Sequence, residues 1–158
     1  MVNIYNLKVK EPLMIYVVEK LDPVVKKHHI SLLLLFGSRA KGNNSPESDL
    51  DLGVLFEDDA FDRSGVIADL ISIFPNYDLD LAILNHADPV FKFEIISNYR
   101  ILYCADPEIF INFYINTIKQ YNDIQKFLKQ EDLYLYNYLG GATAGVRECH
   151  PPQIGPAN

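Results

Sequence analysis

The sequence predicts a single α/β or α+β domain in which helices pack on a small mixed β-sheet. Short apolar runs, typical of buried strands, alternate with stretches whose apolar residues are spaced three and four apart, typical of helices. The 158 residues are 49% hydrophobic and 22% charged, which is ordinary for a globular protein with a core. We place the domain at residues 1–139 and expect residues 140–158, rich in Gly, Pro and Ala, to form a flexible tail.

The first half of the chain contains one long predicted helix and two predicted strands. Apolar residues at helical spacing predict a helix over 11–29. We expect Asp22-Pro23 to break or kink this helix, because proline cannot continue the hydrogen-bond ladder. The run SLLLLF predicts the first strand over 31–36. A turn that can start a short helix at Ala40 and Lys41 follows it, and a loop rich in Gly, Asn, Ser and Pro then leads to a second strand over 50–56.

The second half alternates helices with strands. We expect a helix over 60–74, a strand over 78–84 and a helix over 87–97. A strand over 99–104 and a long helix over 106–129 follow. Asp88-Pro89 and Asp106-Pro107 predict the starts of the last two helices, since Asp is a good N-cap and Pro suits the first helical position. Aromatic residues of the last helix, from Phe110 to Phe127, predict a core-facing stripe, with an outward partner surface as the secondary interpretation. The alternating Leu and Tyr of 133–139 fit either a helix or a strand.

Net charge and cysteine content argue against several classes of protein. A net charge of −7 makes a binder of long nucleic acid a poor candidate, because such binding needs a dense basic face. Cys104 and Cys149 match no metal or redox spacing, so we expect no disulfide and a small core residue at Cys104. The N-terminus lacks a signal-peptide pattern, and the longest apolar run, 30–36, is too short to span a bilayer. We therefore expect a cytoplasmic protein with no membrane association.

A glycine-serine turn directly follows the first predicted strand. Such a turn lets backbone N–H groups at Gly37 and Ser38 point at an anion, and the Ser38 hydroxyl adds a further donor. Arg39 and Lys41 bring positive charge within reach, which favours a phosphate group as the ligand. A Gly-Ser pair after a strand is also compatible with an ordinary turn, so this motif needs support from elsewhere in the chain.

The nearest rival phosphate-binding motif is the P-loop. Gly37 and Gly42 have its spacing, but the P-loop then requires Lys and Ser or Thr, whereas Asn43 and Asn44 follow here. The sequence also contains no GxGxxG, GxSxG, HExxH or CxxC pattern. We therefore reject the P-loop and find no other standard nucleotide, hydrolase, zinc or redox motif.

Carboxylates occupy the start of the second predicted strand and recur in the third. Residues two apart on a strand point the same way, so Asp49 and Asp51 project together. Such a pair suits Mg²⁺, whose shell is commonly completed by substrate phosphates. Asp80 is the better third ligand for a two-metal site, whereas Asp78 is better explained as a solvated strand-start residue. An isolated Asp-x-Asp pair would fit a wet sheet face, but the nearby Gly-Ser turn favours metal-assisted phosphoryl or nucleotidyl transfer.

Together these motifs resemble the signature of the polymerase β-like nucleotidyltransferase superfamily, in which Gly-Ser is followed after a short interval by Asp-x-Asp. The segments FGSRAKG, SDLDL and DLAILNHADPVFKFEIISNYRILY are similar to those of the minimal nucleotidyltransferases, the antitoxin partners of HEPN-domain toxins. The resemblance covers residues 10–130 and implies the polymerase β-like nucleotidyltransferase fold.

The resemblance also implies a reaction and a set of roles. A minimal nucleotidyltransferase transfers AMP from ATP to a tyrosine of its HEPN toxin, releases pyrophosphate and so neutralises the toxin. The resemblance implies that Gly37 and Ser38 hold the β- and γ-phosphates and that Arg39 assists them. The residues implied to bind two Mg²⁺ ions and to serve catalysis are Asp49, Asp51 and Asp80. Asp80 is also implied to help deprotonate the attacking hydroxyl.

Two other functions remain open on the sequence. A non-catalytic antitoxin would neutralise its toxin by contact alone, and it would be favoured if Asp80 pointed away from Asp49 and Asp51. Adenylylation of a small molecule would need an acceptor pocket, but the sheet and its helices use up the predicted elements. The intact Gly-Ser pair and the three carboxylates favour an enzyme whose acceptor is another protein.

Overall fold

The computed structural model describes residues 13–42 and 49–138, and for residues 13–19 it describes the backbone alone. The elements in these ranges are α1 Leu13–Lys27, β1 Ile30–Leu35, α2 Gly37–Lys41, β2 Leu50–Phe56, α3 Arg63–Ile73, β3 Leu79–Ile83, α4 Pro89–Ser97, β4 Arg100–Cys104 and α5 Pro107–Tyr138. This order of helices and strands is the predicted one. The predicted tail, 140–158, lies outside the described residues.

The described strands form one sheet in the order β3-β2-β1-β4. β1 pairs antiparallel with β2 and β4, whereas β2 and β3 are parallel. The crossover between the parallel strands contains α3, as parallel pairing requires a long connection. The predicted α+β domain with a small mixed sheet is therefore confirmed. This topology places the starts of β2 and β3 beside the end of β1.

Helices cover both faces of the sheet, which explains why β1 is apolar throughout. Leu33 and Leu35 belong to a core shared with α1 and α3. Leu32 and Leu34 belong to a second core shared with α4 and α5. A strand between two helical layers buries both of its alternating sets of side chains, so it reads as a continuous apolar run.

Helix α1 continues through Pro23 to Lys27, so of the predicted break or kink at Asp22-Pro23 the break is wrong. Pro23 itself is exposed, whereas Leu21, Val24 and Val25 on either side are buried in the core with α3. The packing of these neighbours offsets the hydrogen bond that the proline removes. Tertiary contacts thus override the local tendency of the proline to end the helix.

Helix α5 extends to Tyr138, beyond the predicted end at 129, and includes residues 133–138 of the stretch that fitted either a helix or a strand. The sequence from 108 to 139 contains no Gly or Pro, so nothing local stops the helix. Phe113 is buried, as predicted for the core-facing stripe. Phe127, assigned to the same stripe, is 64% exposed, and that part of the prediction is wrong.

The starts of the helices follow their predicted caps. Asp88 and Asp106 each accept hydrogen bonds from backbone N–H groups of the following turn, which confirms both predicted starts. Helix α3 begins at Arg63 rather than at 60, because Asp62 is its N-cap. None of the helices in the described ranges is long and apolar enough to cross a membrane.

Candidate active site

The candidate site lies at the edge of the sheet where β1 ends and β2 and β3 begin. The backbone N–H of Phe36 donates to the carbonyl of Asp51 over 3.0 Å. The N–H of Leu50 donates to the carbonyl of Asp78 over 2.7 Å. These hydrogen bonds extend the strand pairing to the ends of the strands. They hold the Gly-Ser turn and the two acidic segments at one edge, which we call the catalytic edge.

Asp51 and Asp80 are register partners on the parallel strands β2 and β3. Paired residues on neighbouring strands lie about 4.8 Å apart and point to the same face, so these carboxylates stand side by side. Asp49 immediately precedes β2. Asp51 is half-buried, whereas Asp49 and Asp80 are exposed. The structure therefore brings the acidic residues singled out in the sequence to the same edge.

Burial and the repulsion between carboxylates act together on Asp51 at the catalytic edge. Burial raises the pKa of the Asp51 carboxyl above its ordinary value, and the negative charges of Asp80 and Asp49 raise it further. The positive charge of Arg39 acts in the opposite direction on that pKa. A bound cation would relieve the repulsion, because its charge would exceed any other in the site. A perturbed carboxyl among like charges is typical of functional sites.

Gly37 brings the backbone of the turn into contact with Asp51. Its φ is 68°, in the left-handed region that favours glycine. A Cβ built on Gly37 would overlap the Asp51 carboxylate, 2.8 Å from the carboxyl carbon. Both the backbone angle and the lack of space therefore require glycine. The turn and the half-buried carboxylate form a single site rather than two neighbouring features.

Arg39 joins three parts of the catalytic edge. Its Nε donates to the carbonyl of Asp49 over 3.0 Å, and its guanidinium lies 4.5 Å from the centre of the Tyr77 ring. Arg39 thus ties α2 to the start of β2 and to the segment before β3 by a hydrogen bond and a cation–π contact. Ser38, the other polar residue of the turn, is half-buried. Sequence reasoning missed Tyr77, because no spacing or motif links it to Arg39.

The donor set of the site can be compared with what Mg²⁺ requires. Within 13–42 and 49–138, no group of three or more His, Cys, Asp or Glu side chains is arranged to hold a metal ion. The facing carboxylates of Asp51 and Asp80 nevertheless match a common arrangement for Mg²⁺, in which one or two carboxylates are joined by substrate phosphates. The residues present therefore fit a cation whose coordination a nucleotide completes.

A pocket of about 540 Å³ adjoins the Gly37 turn. It combines apolar and aromatic walls with a few polar groups, as ligand sites commonly do. The lining residues are Phe36, Gly37, Lys41, Val90, Phe91, Glu94, Ile95, Ser97, Asn98 and Tyr121. Sequence reasoning did not identify this pocket, because the turn, α4 and α5 contribute to it from distant parts of the chain.

Residues 19–108 match the family described as Polymerase beta, Nucleotidyltransferase. The matched span is more than half of the chain and includes the glycine turn and all three carboxylates. The chain belongs to this family. The polymerase β-like nucleotidyltransferase fold that the sequence resemblance implied is thereby confirmed.

The proteins similar to this polymerase β-family chain include a protein adenylyltransferase and components of toxin–antitoxin complexes. It is 26% identical over 129 residues to the protein adenylyltransferase MntA of Aphanizomenon flos-aquae (strain 2012/KM1/D3), covering 73% of this chain and 85% of the relative. A crystal structure of a toxin–antitoxin with AMP-PNP gives a TM-score of 0.62 at 24% identity, covering 75% of this chain and 97% of that one. The structure of a tri-AMPylated Shewanella oneidensis HEPN toxin in complex with MNT antitoxin gives a TM-score of 0.59 at 21% sequence identity. The match covers 77% of this chain and 98% of that one. At these identities the solved structures establish a shared fold.

Proposed function

We propose that this chain is a Mg²⁺-dependent nucleotidyltransferase that transfers AMP from ATP to a tyrosine of a HEPN-domain toxin and so neutralises it. The observation that carries the proposal is the pairing of Asp51 with Asp80 beside the Gly37 turn. Adjacent carboxylates next to a phosphate-binding turn suit metal-assisted displacement at phosphorus. The relatives support the acceptor, since one is named a protein adenylyltransferase and another structure contains an AMPylated HEPN toxin.

Each residue of the catalytic edge has a role in this proposal. The residues that hold the β- and γ-phosphates of ATP are Gly37, Ser38 and Arg39. The residues that hold two Mg²⁺ ions are Asp49, Asp51 and Asp80. Bound Mg²⁺ supplies positive charge that offsets the charge of the phosphates and of the carboxylates. The contact of Gly37 with Asp51 keeps the phosphate and metal subsites next to each other.

The proposed reaction is a displacement at the α-phosphorus of ATP. The acceptor hydroxyl gives its proton to Asp80 while its oxygen forms a bond to the α-phosphorus. The bond from that phosphorus to the bridging oxygen breaks, and pyrophosphate leaves with the bonding electrons. Backbone N–H groups of the turn stabilise the charge that builds on the leaving group. We place the reaction in the cytoplasm, where ATP is available.

The test is to incubate the chain with ATP, Mg²⁺ and its cognate HEPN-domain protein and to measure the intact mass of the latter. We expect a mass gain of one or more AMP groups, which is lost with Asp51→Asn or Asp80→Asn. Asp78→Asn is the matched control, because Asp78 is an exposed acid of the same edge to which the proposal gives no role. Neutralisation of the toxin without any mass gain, unchanged in Asp51→Asn, would instead identify an antitoxin that acts by contact alone.

A further inference from the structure

Helix α5 consists of a packed part and a projecting part. Phe113 and Thr117 in the packed part are buried, and residues up to Gln125 are still half-buried in places. From Lys126 to Tyr138 every residue is exposed, and we call these 13 residues the projecting segment. At about 1.5 Å per residue the segment is about 20 Å long. In the part of the chain that the structure describes, nothing covers it.

The projecting segment is rich in apolar and aromatic side chains. Its exposed large hydrophobic residues are Phe127, Leu128, Leu133, Tyr134, Leu135, Tyr136 and Tyr138. Four of them, 133–136, are consecutive, whereas the residues just before them, 129–132, are polar. Contiguous exposed apolar side chains commonly mark sites of interaction with another protein. A whole aromatic side chain has roughly 150–250 Å² of surface, so the exposed parts amount to several hundred Å². That is close to the share of about 800 Å² that one partner contributes to a standard interface.

The course of α5 places the projecting segment beside the catalytic edge. The helix starts just after Cys104, which pairs with Leu32 near the beginning of β1. At Tyr121 it lines the pocket that also contains Gly37, just past the other end of β1. The helix therefore runs along the sheet towards the catalytic edge. Its last 13 residues begin about one turn after Tyr121 and continue beyond that edge.

The pocket and the projecting segment are neighbours along α5, and both contain exposed apolar side chains. Within the pocket, Val90 and Phe91 are 37% and 39% exposed. Tyr121 lies between the two regions and is fixed by stacking on Phe93 of α4, with ring centres 3.8 Å apart. Phe127 then presents the first strongly exposed aromatic ring of the helix. A protein seated on the projecting segment would therefore lie next to the pocket and the Gly37 turn.

We infer that the projecting segment and the adjoining pocket form the docking surface for the acceptor protein, which binds through an apolar face. This inference rests on the proposed function, because transfer requires a hydroxyl that something outside the domain must bring to the catalytic edge. Among the possible occupants, the acceptor is the one whose presence at this position serves the reaction. A second copy of the chain on the same helix is the competing occupant, and the test separates the two.

The test compares two pairs of substitutions on one helix of the full chain. Phe127→Ser with Tyr134→Ser removes two rings of the projecting segment. Ile111→Ser with Ile115→Ser is the matched control, because these side chains are 51% and 44% exposed on the packed part. With the cognate HEPN-domain protein as acceptor, we expect the first pair to raise the KM for the acceptor about tenfold or more. The kcat at saturating acceptor and the KM for ATP should stay within about twofold of wild type.

A binding measurement separates failure of this inference from failure of the proposed function. Titration of the HEPN-domain protein into the Asp51→Asn chain, with and without the Phe127 and Tyr134 substitutions, measures docking without transfer. If wild type transfers no AMP but these substitutions weaken binding tenfold, the docking surface stands and the proposed function fails. The inference would be overturned if the substitutions left both the KM and the Kd for the HEPN-domain protein unchanged. It would also be overturned if they converted a dimer of this chain to a monomer while AMP transfer stayed unchanged. If the double variant melts below wild type, Phe127→Ala alone is measured in its place.

Discussion

Asp51 and Asp69 are two aspartates of one domain whose pKa values are displaced in opposite directions. Asp51 is half-buried beside two other carboxylates, and burial followed by their charge raises its pKa. Asp69 on α3 accepts a hydrogen bond from Lys27 Nζ at 2.7 Å and lies 2.6 Å from His28 Nε2. The bonds from Lys27 and His28 lower the pKa of Asp69. Like charges meet at the catalytic edge, whereas opposite charges meet where α1 ends against α3.

The contrast separates residues that serve folding from residues that serve a ligand. The pair of His28 and Asp69 joins the turn after α1 to α3, and the His28 side chain is only 9% exposed. This arrangement stabilises the fold without a ligand. The carboxylates at the catalytic edge have the opposite effect, since repulsion lowers stability until a cation is bound. Sites that are strained for function while the rest of the fold supports them are common in enzymes.

Asp51→Asn is expected to have the largest effect, and it tests whether Asp51 serves a ligand rather than the stability of the fold. We expect AMP transfer to fall by about a thousandfold or more, because the variant loses a metal ligand. The Tm without Mg²⁺ should equal or exceed that of wild type, because a repelled charge is removed. Radiolabelled transfer and a thermal melt measure both quantities on one preparation. A variant that is active but less stable would place Asp51 with the structural residues.

Gly37→Ala is expected to lower both activity and stability. The methyl group would overlap the Asp51 carboxylate at a positive φ, so we expect a loss of about 1–3 kcal/mol and a marked fall in transfer. Gly42→Ala is the matched control, since Gly42 also has a positive φ, 76°, but no atom of the residues that the structure describes lies within 4 Å of a Cβ there. Urea denaturation and transfer assays should show a smaller stability loss and normal transfer for the control. Equal effects of the two variants would mean that backbone strain, rather than contact with Asp51, makes glycine necessary.

Arg39→Lys is expected to have an intermediate effect on the site. Lysine keeps the charge but loses the planar contact with Tyr77 and the Nε–H bond to Asp49. We expect the KM for ATP to rise by roughly tenfold or less, with little change in Tm. Steady-state kinetics at saturating acceptor measure this change. A wild-type KM for ATP would show that only the charge of Arg39 matters.

The smallest expected effect is that of Asp69→Asn, and it depends on pH. The folded-state pKa of Asp69 is lowered, so its stabilisation is present above the unfolded pKa of about 4 and disappears as pH falls through the folded value. The contribution of Asp51 to stability changes with pH in the opposite direction. Because its folded-state pKa is raised, that contribution becomes less favourable as pH rises from about 4. Thermal melts from pH 3 to 7 should show the variant below wild type at neutral pH and converging with it in acid. A Tm difference that does not depend on pH would contradict an ionic role for Asp69.

The fold and the acidic residues were more predictable than the contacts around them. Alternating apolar runs and helical stripes predicted the element order, because periodicity reflects which face of an element is buried. The caps at Asp88 and Asp106 were predictable because they are local. The Arg39–Tyr77 contact, the His28–Asp69 pair and the pocket between α4 and the turn join residues far apart in sequence, and no local pattern encodes them. The break at Pro23 did not occur because packing outweighed local preference.

The sequence by itself determined the class of fold, the glycine turn and the acidic strand starts, because each depends on residue type and short-range spacing. It also carried the resemblance to nucleotidyltransferases. Only the tertiary structure decided that Asp51 and Asp80 are register partners, that Gly37 contacts Asp51 and that α5 leaves the domain at the catalytic edge. Strand register and helix course depend on how distant segments pack together. The free energy of that packing belongs to the whole chain and is not readable from any one segment.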